Sequence, residues 1–175
     1  VPGSETCQDC PIGFYQDQIG VPYCVECIPG QFQNEQGKQQ CHECLAGQHR
    51  FNTINGTNLT KCDDCPAGKV TPLTGAAKCI DCIPGQFQNE KGNEHCIKCA
   101  TGRRFNASVA VGVSPSDCVA CDKGQHQSER GATFCLPCLT GTYQNETGCA
   151  SCKDCPIGFS NGNTKAASCA ECSKG

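Results

Sequence analysis

Ten Cys-x-x-Cys pairs recur along the chain, at Cys7/Cys10, Cys24/Cys27, Cys41/Cys44, Cys62/Cys65, Cys79/Cys82, Cys96/Cys99, Cys118/Cys121, Cys135/Cys138, Cys152/Cys155 and Cys169/Cys172. Successive pairs are 17 residues apart except for one step of 21 and one of 22. A fixed period of this length marks a repeat array, in which each unit stacks on its neighbours instead of folding around one central core. The rest of the composition demands such a solution. The 175 residues include 21 Cys, no Trp, no Met and only seven Phe and three Tyr, with a mean hydropathy of −0.42. A globular domain of similar length buries roughly 70% of its unfolded surface, and too few apolar side chains are present for that. Cross-links must replace burial.

Cysteine at this density belongs in an oxidising compartment, where disulfides persist. Asn-x-Ser/Thr acceptors at Asn55, Asn58, Asn106 and Asn145 point the same way and predict N-linked glycans on exposed loops. The expected location is extracellular or cell-surface. With a net charge of −3 and scattered Lys and Arg there is no basic stripe, so nucleic acid is not an expected partner. No run approaches the 18 apolar residues of a membrane span. Val1 opens the chain without a leader pattern, so a mature chain or part of one is expected.

Aligning the copies on the second Cys of each pair reveals the unit. Gly stands three places on in every copy, at Gly13, Gly30, Gly47, Gly68, Gly85, Gly102, Gly124, Gly141 and Gly158. Such constancy predicts positive φ or a close backbone approach. A second Gly, at Gly20, Gly37, Gly75, Gly92, Gly131 and Gly148, reads as the tip of a hairpin-like turn. Between them lies a ring position holding Tyr15, Phe32, His49, Phe87, His126 and Tyr143, with Val70, Arg104 and Ser160 as departures. One flat side chain per unit is expected to cover the disulfide and form a small apolar centre.

The common 14-residue offset suggests that the Cys before each x-x-Gly closes onto the first Cys of the next pair. An interlaced scheme, Cys7 with Cys24 and Cys10 with Cys27 onward, balances equally well, and spacing leaves both open. The segments Cys10-Pro-Ile-Gly-Phe-Tyr…Cys24, Cys65-Pro-Ala-Gly…Cys79, Cys138-Leu-Thr-Gly-Thr-Tyr…Cys152 and Cys155-Pro-Ile-Gly-Phe…Cys169 resemble the Cys-Pro-x-Gly-x-Tyr…Cys unit of tumour-necrosis-factor-receptor cysteine-rich domains and ephrin-receptor-like cysteine-rich repeats. The resemblance implies the first scheme: Cys10–Cys24, Cys27–Cys41, Cys44–Cys62, Cys65–Cys79, Cys82–Cys96, Cys99–Cys118, Cys121–Cys135, Cys138–Cys152 and Cys155–Cys169. It leaves Cys7, Cys149 and Cys172 unpaired or intermolecular. In six units the Pro after the second Cys is missing.

The expected fold is small, disulfide-rich and mostly irregular with short β-hairpins, an elongated rod of tandem ~17-residue repeats with almost no helix. The long steps group the units in threes, giving blocks 1–61 (beginning mid-repeat), 62–117 and 118–175 (ending mid-repeat). The ends suit a trimmed longer array or chains that complete each other end to end. Ile-Pro-Gly-Gln-Phe-Gln-Asn-Glu occurs verbatim at 28–35 and 83–90, and Thr-Tyr-Gln-Asn-Glu at 142–146. Phe32, Phe87, Tyr143 and their Gln-Asn-Glu neighbours are therefore expected to form a contact stripe. The longer units, 44–62 and 99–118, carry three of the four glycan acceptors, as projecting loops or as plain filler.

Zinc tetrathiolates would explain the paired cysteines but not the recurring Gly or the acceptors, so no metal and no cofactor are expected. His42, His49, His95 and His126 read as ring substitutes or loop residues. A narrow array lacks the pocket that excludes water from a reaction, so no catalytic residue is assigned and an enzyme is not expected. The leading reading is an extracellular structural protein, part of a fibre, appendage or surface coat, with copies of itself or a longer parent array as partners. The alternative is a receptor or adhesion ectodomain stalk that binds a protein ligand.

Overall fold

A computed structural model describes residues 8–51 and 59–173. The chain divides into two compact units, Val1–Asp81 with Glu90–His95, and Cys82–Asn89 with Cys96–Gly175. Both are built from one motif.

Each repeat opens on a tight turn. Phe14 N donates to Pro11 O at 3.1 Å and Gln31 N to Ile28 O at 3.0 Å, bracketing Gly13 and Gly30 at φ +84° and +85°. A four-residue turn with positive φ at its third position is type II, which excludes a Cβ there. The turn releases the chain into a two-residue strand that pairs, antiparallel, with the residues inside the next Cys-x-x-Cys. In the first compact unit Phe14–Tyr15 pairs with Val25–Glu26, Gln31–Phe32 with His42–Glu43, Gln48–His49 with Asp63–Asp64, and Lys69–Val70 with Ile80–Asp81. In the second, Gln86–Phe87 pairs with Ile97–Lys98, Arg103–Phe105 with Cys118–Ala120, Gln125–His126 with Leu136–Pro137, Thr142–Tyr143 with Lys153–Asp154, and Phe159–Ser160 with Ala170–Glu171. Among the described residues the helical content is one 3-10 turn, Pro115–Asp117.

Ladders this short do not hold themselves in water, and a disulfide closes each one. The bridges are Cys10–Cys24, Cys27–Cys41, Cys44–Cys62, Cys65–Cys79, Cys82–Cys96, Cys99–Cys118, Cys121–Cys135, Cys138–Cys152 and Cys155–Cys169, with Cα–Cα distances of 5.5–5.8 Å. A closed loop of about 15 residues is worth ~3 kcal/mol in the chain-entropy account.

Main-chain hydrogen bonds join each repeat to the next. At one junction of the first compact unit Gly13 N donates to Gln33 O (2.7 Å), Gln16 N to Lys38 O (3.1 Å), and Gly37 N back to Cys10 O (2.9 Å). The second repeats the pattern, with Gly102 N to Gln127 O (2.7 Å), Phe105 N to Ala132 O (2.9 Å), and Gly131 N back to Cys99 O (2.8 Å). The first Gly also faces a repeat two places on. A Cβ on Gly30 would stand 2.0 Å from the Gly75 carbonyl oxygen, and one on Gly102 1.9 Å from that of Gly148. Both expected uses of this Gly, positive φ and close approach, therefore occur together, while the second Gly, also at positive φ, supplies that carbonyl as well as a turn.

The interior differs from the expected ring-centred one. Buried along each compact unit are the forward-closing cysteines, such as Cys27, Cys44, Cys65, Cys99, Cys121 and Cys138, alternating with glutamines Gln33, Gln88, Gln127 and Gln144. Of the ring-position side chains only Val70 and Phe87 are buried; the others lie at the flank or in the open. Gln33 Nε2 donates to Gln40 O at 2.7 Å while its Oε1 accepts from Glu35 N at 2.9 Å. Gln16, Gln127 and Gln144 make the same two bonds, each reaching the amide two residues on and the carbonyl seven residues on. The side-chain amide thus satisfies main-chain groups that a thin module cannot bury by secondary structure. This corrects the contact stripe expected around Gln-Asn-Glu, because its Gln is internal and only Asn and Glu face solvent.

The longer loops abandon this device. Gln holds this place in five repeats; Arg50 stands there in the 44–62 repeat and Phe105 in the 99–118 repeat, while the 14-residue loops 65–79 and 155–169 hold Thr71 and Asn161. Phe105 packs with Phe87, Cys99, Cys118 and Val109 into an apolar cluster. The inserted segment turns back through Gly112, whose carbonyl accepts from Gln88 N at 3.1 Å, and is closed by a capping box between Ser114 and Asp117. This insert is a packed element rather than a projecting loop.

Candidate functional site

Because a strand alternates its faces, burying each forward-closing Cys turns its two neighbours outward. The residue before it is Asp9, Glu26, Glu43, Asp64 and Asp81 in the first five copies and Asp154 and Glu171 near the end. Lys98 is the one cation in that column. The residue after it is a bare aliphatic in four copies, with Ile28, Leu45, Ile83 and Leu139 each more than 60% exposed. Three copies, at Glu26/Ile28, Glu43/Leu45 and Asp81/Ile83, carry both groups and make an exposed carboxylate-and-aliphatic ridge the candidate contact surface, legible in the sequence only once the Cys is known to point inward.

Two glycan acceptors are described. Asn106 is half-buried, its Oδ1 accepting from Ser108 N at 3.1 Å and its own N–H donating to Asp117 O at 2.8 Å. Asn145 is exposed, and its Oδ1 accepts from Lys153 Nζ at 2.9 Å. In each, the bonds engage the oxygen rather than the amide nitrogen that a glycan would modify. Asn55, Asn58 and Cys7 lie outside the described residues.

Cys149 and Cys172 are free thiols among the described residues. Cys149 is half-buried, and its carbonyl accepts from Gln127 N at 3.1 Å, so its backbone belongs to a repeat junction. Cys172 is exposed. Since Cys138 is bonded to Cys152, Cys149 takes no part in that bridge.

The histidines divide as ring substitutes and loop residues. His49 lies with its ring nitrogen within 4.8 Å of both Cys65 and Cys79, but those sulfurs are joined to each other and offer no thiolate to an ion. Its ring covers the disulfide of the following repeat. His42 tilts against Phe32 with centroids 5.6 Å apart. A shallow polar cleft of about 600 Å³ lies beside them, lined by Gln33, Glu35, Lys38, Gln40 and His42. There Glu35 and Lys38 pair at 2.6 Å, and that bond holds the Glu35 carboxyl below its ordinary pKa.

Arg50 is the residue that sequence reasoning missed altogether. Its guanidinium is buried, with Nη2 donating to Cys27 O and Ile28 O while Nε and Nη1 find no partner among the described residues. Burial pushes its pKa below the ordinary value, opposed by the carboxylate of Glu26. It ties two carbonyls of the preceding repeat, doing across a junction what Gln does within a loop.

The family model described as tyrosine-protein kinase ephrin type A/B receptor-like matches residues 2–28, 71–114 and 133–172, more than half of the chain. No curated protein matches it.

Proposed function

We infer a function from one premise: the chain belongs to the ephrin type A/B receptor-like family of cysteine-rich repeats. Such repeats make an extracellular receptor-like or structural domain, and the disulfides and the family together point to an extracellular or surface location. No helix of the described residues is long and apolar enough to cross a membrane.

Within that class we propose a structural role, as a glycosylated building block of a fibre, appendage or surface coat. The observation that supports it is an exposed repetition the interior does not require. Gln33, Gln88 and Gln144 are fixed by the fold, but Asn34-Glu35, Asn89-Glu90 and Asn145-Glu146 beside them are exposed and still identical. Identical outward groups suit one contact made many times, whereas a ligand-binding array diversifies its surface. On this proposal three repeats, as in 1–61, 62–117 and 118–175, form the constructional block. Asn55, Asn58, Asn106 and Asn145 carry glycans, and Cys7, Cys149 and Cys172 are available for bonds between chains.

Electron microscopy of native material tests the reading. Filaments or sheets with an axial repeat are expected, whereas discrete monomers or dimers would favour the receptor or adhesion stalk. Non-reducing gels should show species larger than the monomer that collapse on reduction, and N-glycosidase should lower the apparent mass.

A further inference from the structure

The second compact unit contains a pocket of about 300 Å³ whose chemistry is the inverse of the acidic ridge. Its floor is apolar, formed by Phe87, Ile97 and Pro115, and its rim carries three cations, Lys98, Arg103 and Arg130. Arg103 Nη1 donates to Cys118 O at 2.8 Å, which anchors one arm of its guanidinium. The Lys98 stem lies along Gly131, its Cγ and Cδ each 3.4 Å from where a Cβ on that glycine would stand. Among the described residues none of the three is ion-paired with a carboxylate. Three unpaired like charges around one apolar floor, in a chain whose net charge is −3, leave a site that an external carboxylate completes.

We propose that this pocket receives the acidic ridge of a second copy of the chain, specifically Glu26-Cys27-Ile28 or Glu43-Cys44-Leu45. In both segments the central Cys is locked inward by its disulfide, so the carboxylate and the aliphatic project from the same side. They stand roughly 7 Å apart along an extended chain, one to meet the rim and the other the floor. Ile28 and Leu45 are exposed in the free chain and lose that exposure on docking. The same repeat position that carries Glu26 and Glu43 on the ridge carries Lys98 at the pocket, so a charge reversal within one register makes two copies complementary. The ridge segments and the pocket belong to different repeats, so the contact is heterologous, and repeated from copy to copy it builds a closed ring or an open filament. The proposal deepens the structural reading and rests on it for the polymer it would build.

The test uses the glycosylated chain with its free thiols alkylated, followed by sedimentation velocity across concentration and salt. Wild type should self-associate, more weakly as salt rises. Lys98→Glu with Arg130→Glu should lower affinity about tenfold or more, as should Glu26→Lys with Glu43→Lys, and mixing the two variants should restore binding as a mixed pair. Unchanged disulfide maps and circular dichroism establish that both variants fold. A wild type that stays monomeric, association indifferent to either reversal, or no rescue on mixing overturns the proposal, and so does a monomer that binds only a foreign acidic segment. Filaments that persist in Lys98→Glu/Arg130→Glu would sink the pocket while leaving the fibre reading intact.

Discussion

The 121–135 and 99–118 repeats share a frame and fill it by opposite means. Gln127 N and Phe105 N occupy the same place in the repeat, donating to Cys149 O and Ala132 O of the following repeat at 3.1 and 2.9 Å. Below that bond the 14-residue loop is tied by a side-chain amide, through Gln127 Nε2 to Phe134 O (2.9 Å) and Glu129 N to Gln127 Oε1 (3.0 Å). The 19-residue loop instead buries Phe105 with Val109 against its own disulfide. An amide of fixed reach can bridge a loop of one length; a loop five residues longer has the material for an apolar plug and no longer presents the same groups to an amide. The junction is the constant and the filling varies: both long loops lack Gln, and the 14-residue loops 65–79 and 155–169 use Thr71 and Asn161 in its place.

Truncating the plug should therefore cost most. Phe105→Ala is expected to destabilise by ~3–5 kcal/mol, seen as faster hydrogen exchange at the Asn106 and Val109 amides. An effect no larger than that of a surface substitution would show that the cluster does not support the long loop. Next comes the junction itself. Gly102→Ala should add overpacking of ~1–3 kcal/mol against the Gly148 carbonyl to the ~1–2 kcal/mol cost of left-handed backbone. Gly141→Ala, with nothing within 4 Å, should pay only the second term. Equal losses of thermal stability in the two variants would remove close approach from the account. Replacing the amide, Gln127→Leu should cost ~1–3 kcal/mol by stranding its main-chain partners, read from selective exchange at Glu129.

The smallest effect concerns Glu35. Its folded pKa lies below the ordinary 4.5, chiefly through the bond to Lys38, so its contribution is present above pH 4.5 and fades as pH falls through the folded value. Lying at the surface, the pair should yield only a slight, salt-sensitive change. Lys38→Ala should return the Glu35 titration, followed by NMR, to the ordinary range.

Much of this was legible residue by residue. The 17-residue period announced the array, and the constant Gly after each pair announced positive φ or a close backbone approach, because each feature depends on backbone geometry that few residues permit. The interior was misread for an equally physical reason. Gln16, Gln33, Gln88, Gln127 and Gln144 hold one place in five of the nine repeats, yet a polar side chain is assigned to the surface unless its partners are known, and for Gln16, Gln33, Gln127 and Gln144 those partners are main-chain groups two and seven residues away. The return of Gln to one register in five repeats was the available clue. The charge column had the same status, since Glu26, Glu43 and Lys98 form a pattern only when the intervening Cys is placed inward.

Sequence alone determined that sulfur and repeated turns, rather than an apolar centre, would organise this protein, since composition leaves no other source of order and glycine adopts the required φ most readily. Tertiary structure decided which groups stack, which amide lies inside and which charges face outward. Those outcomes depend on distances between neighbouring repeats that periodicity does not encode.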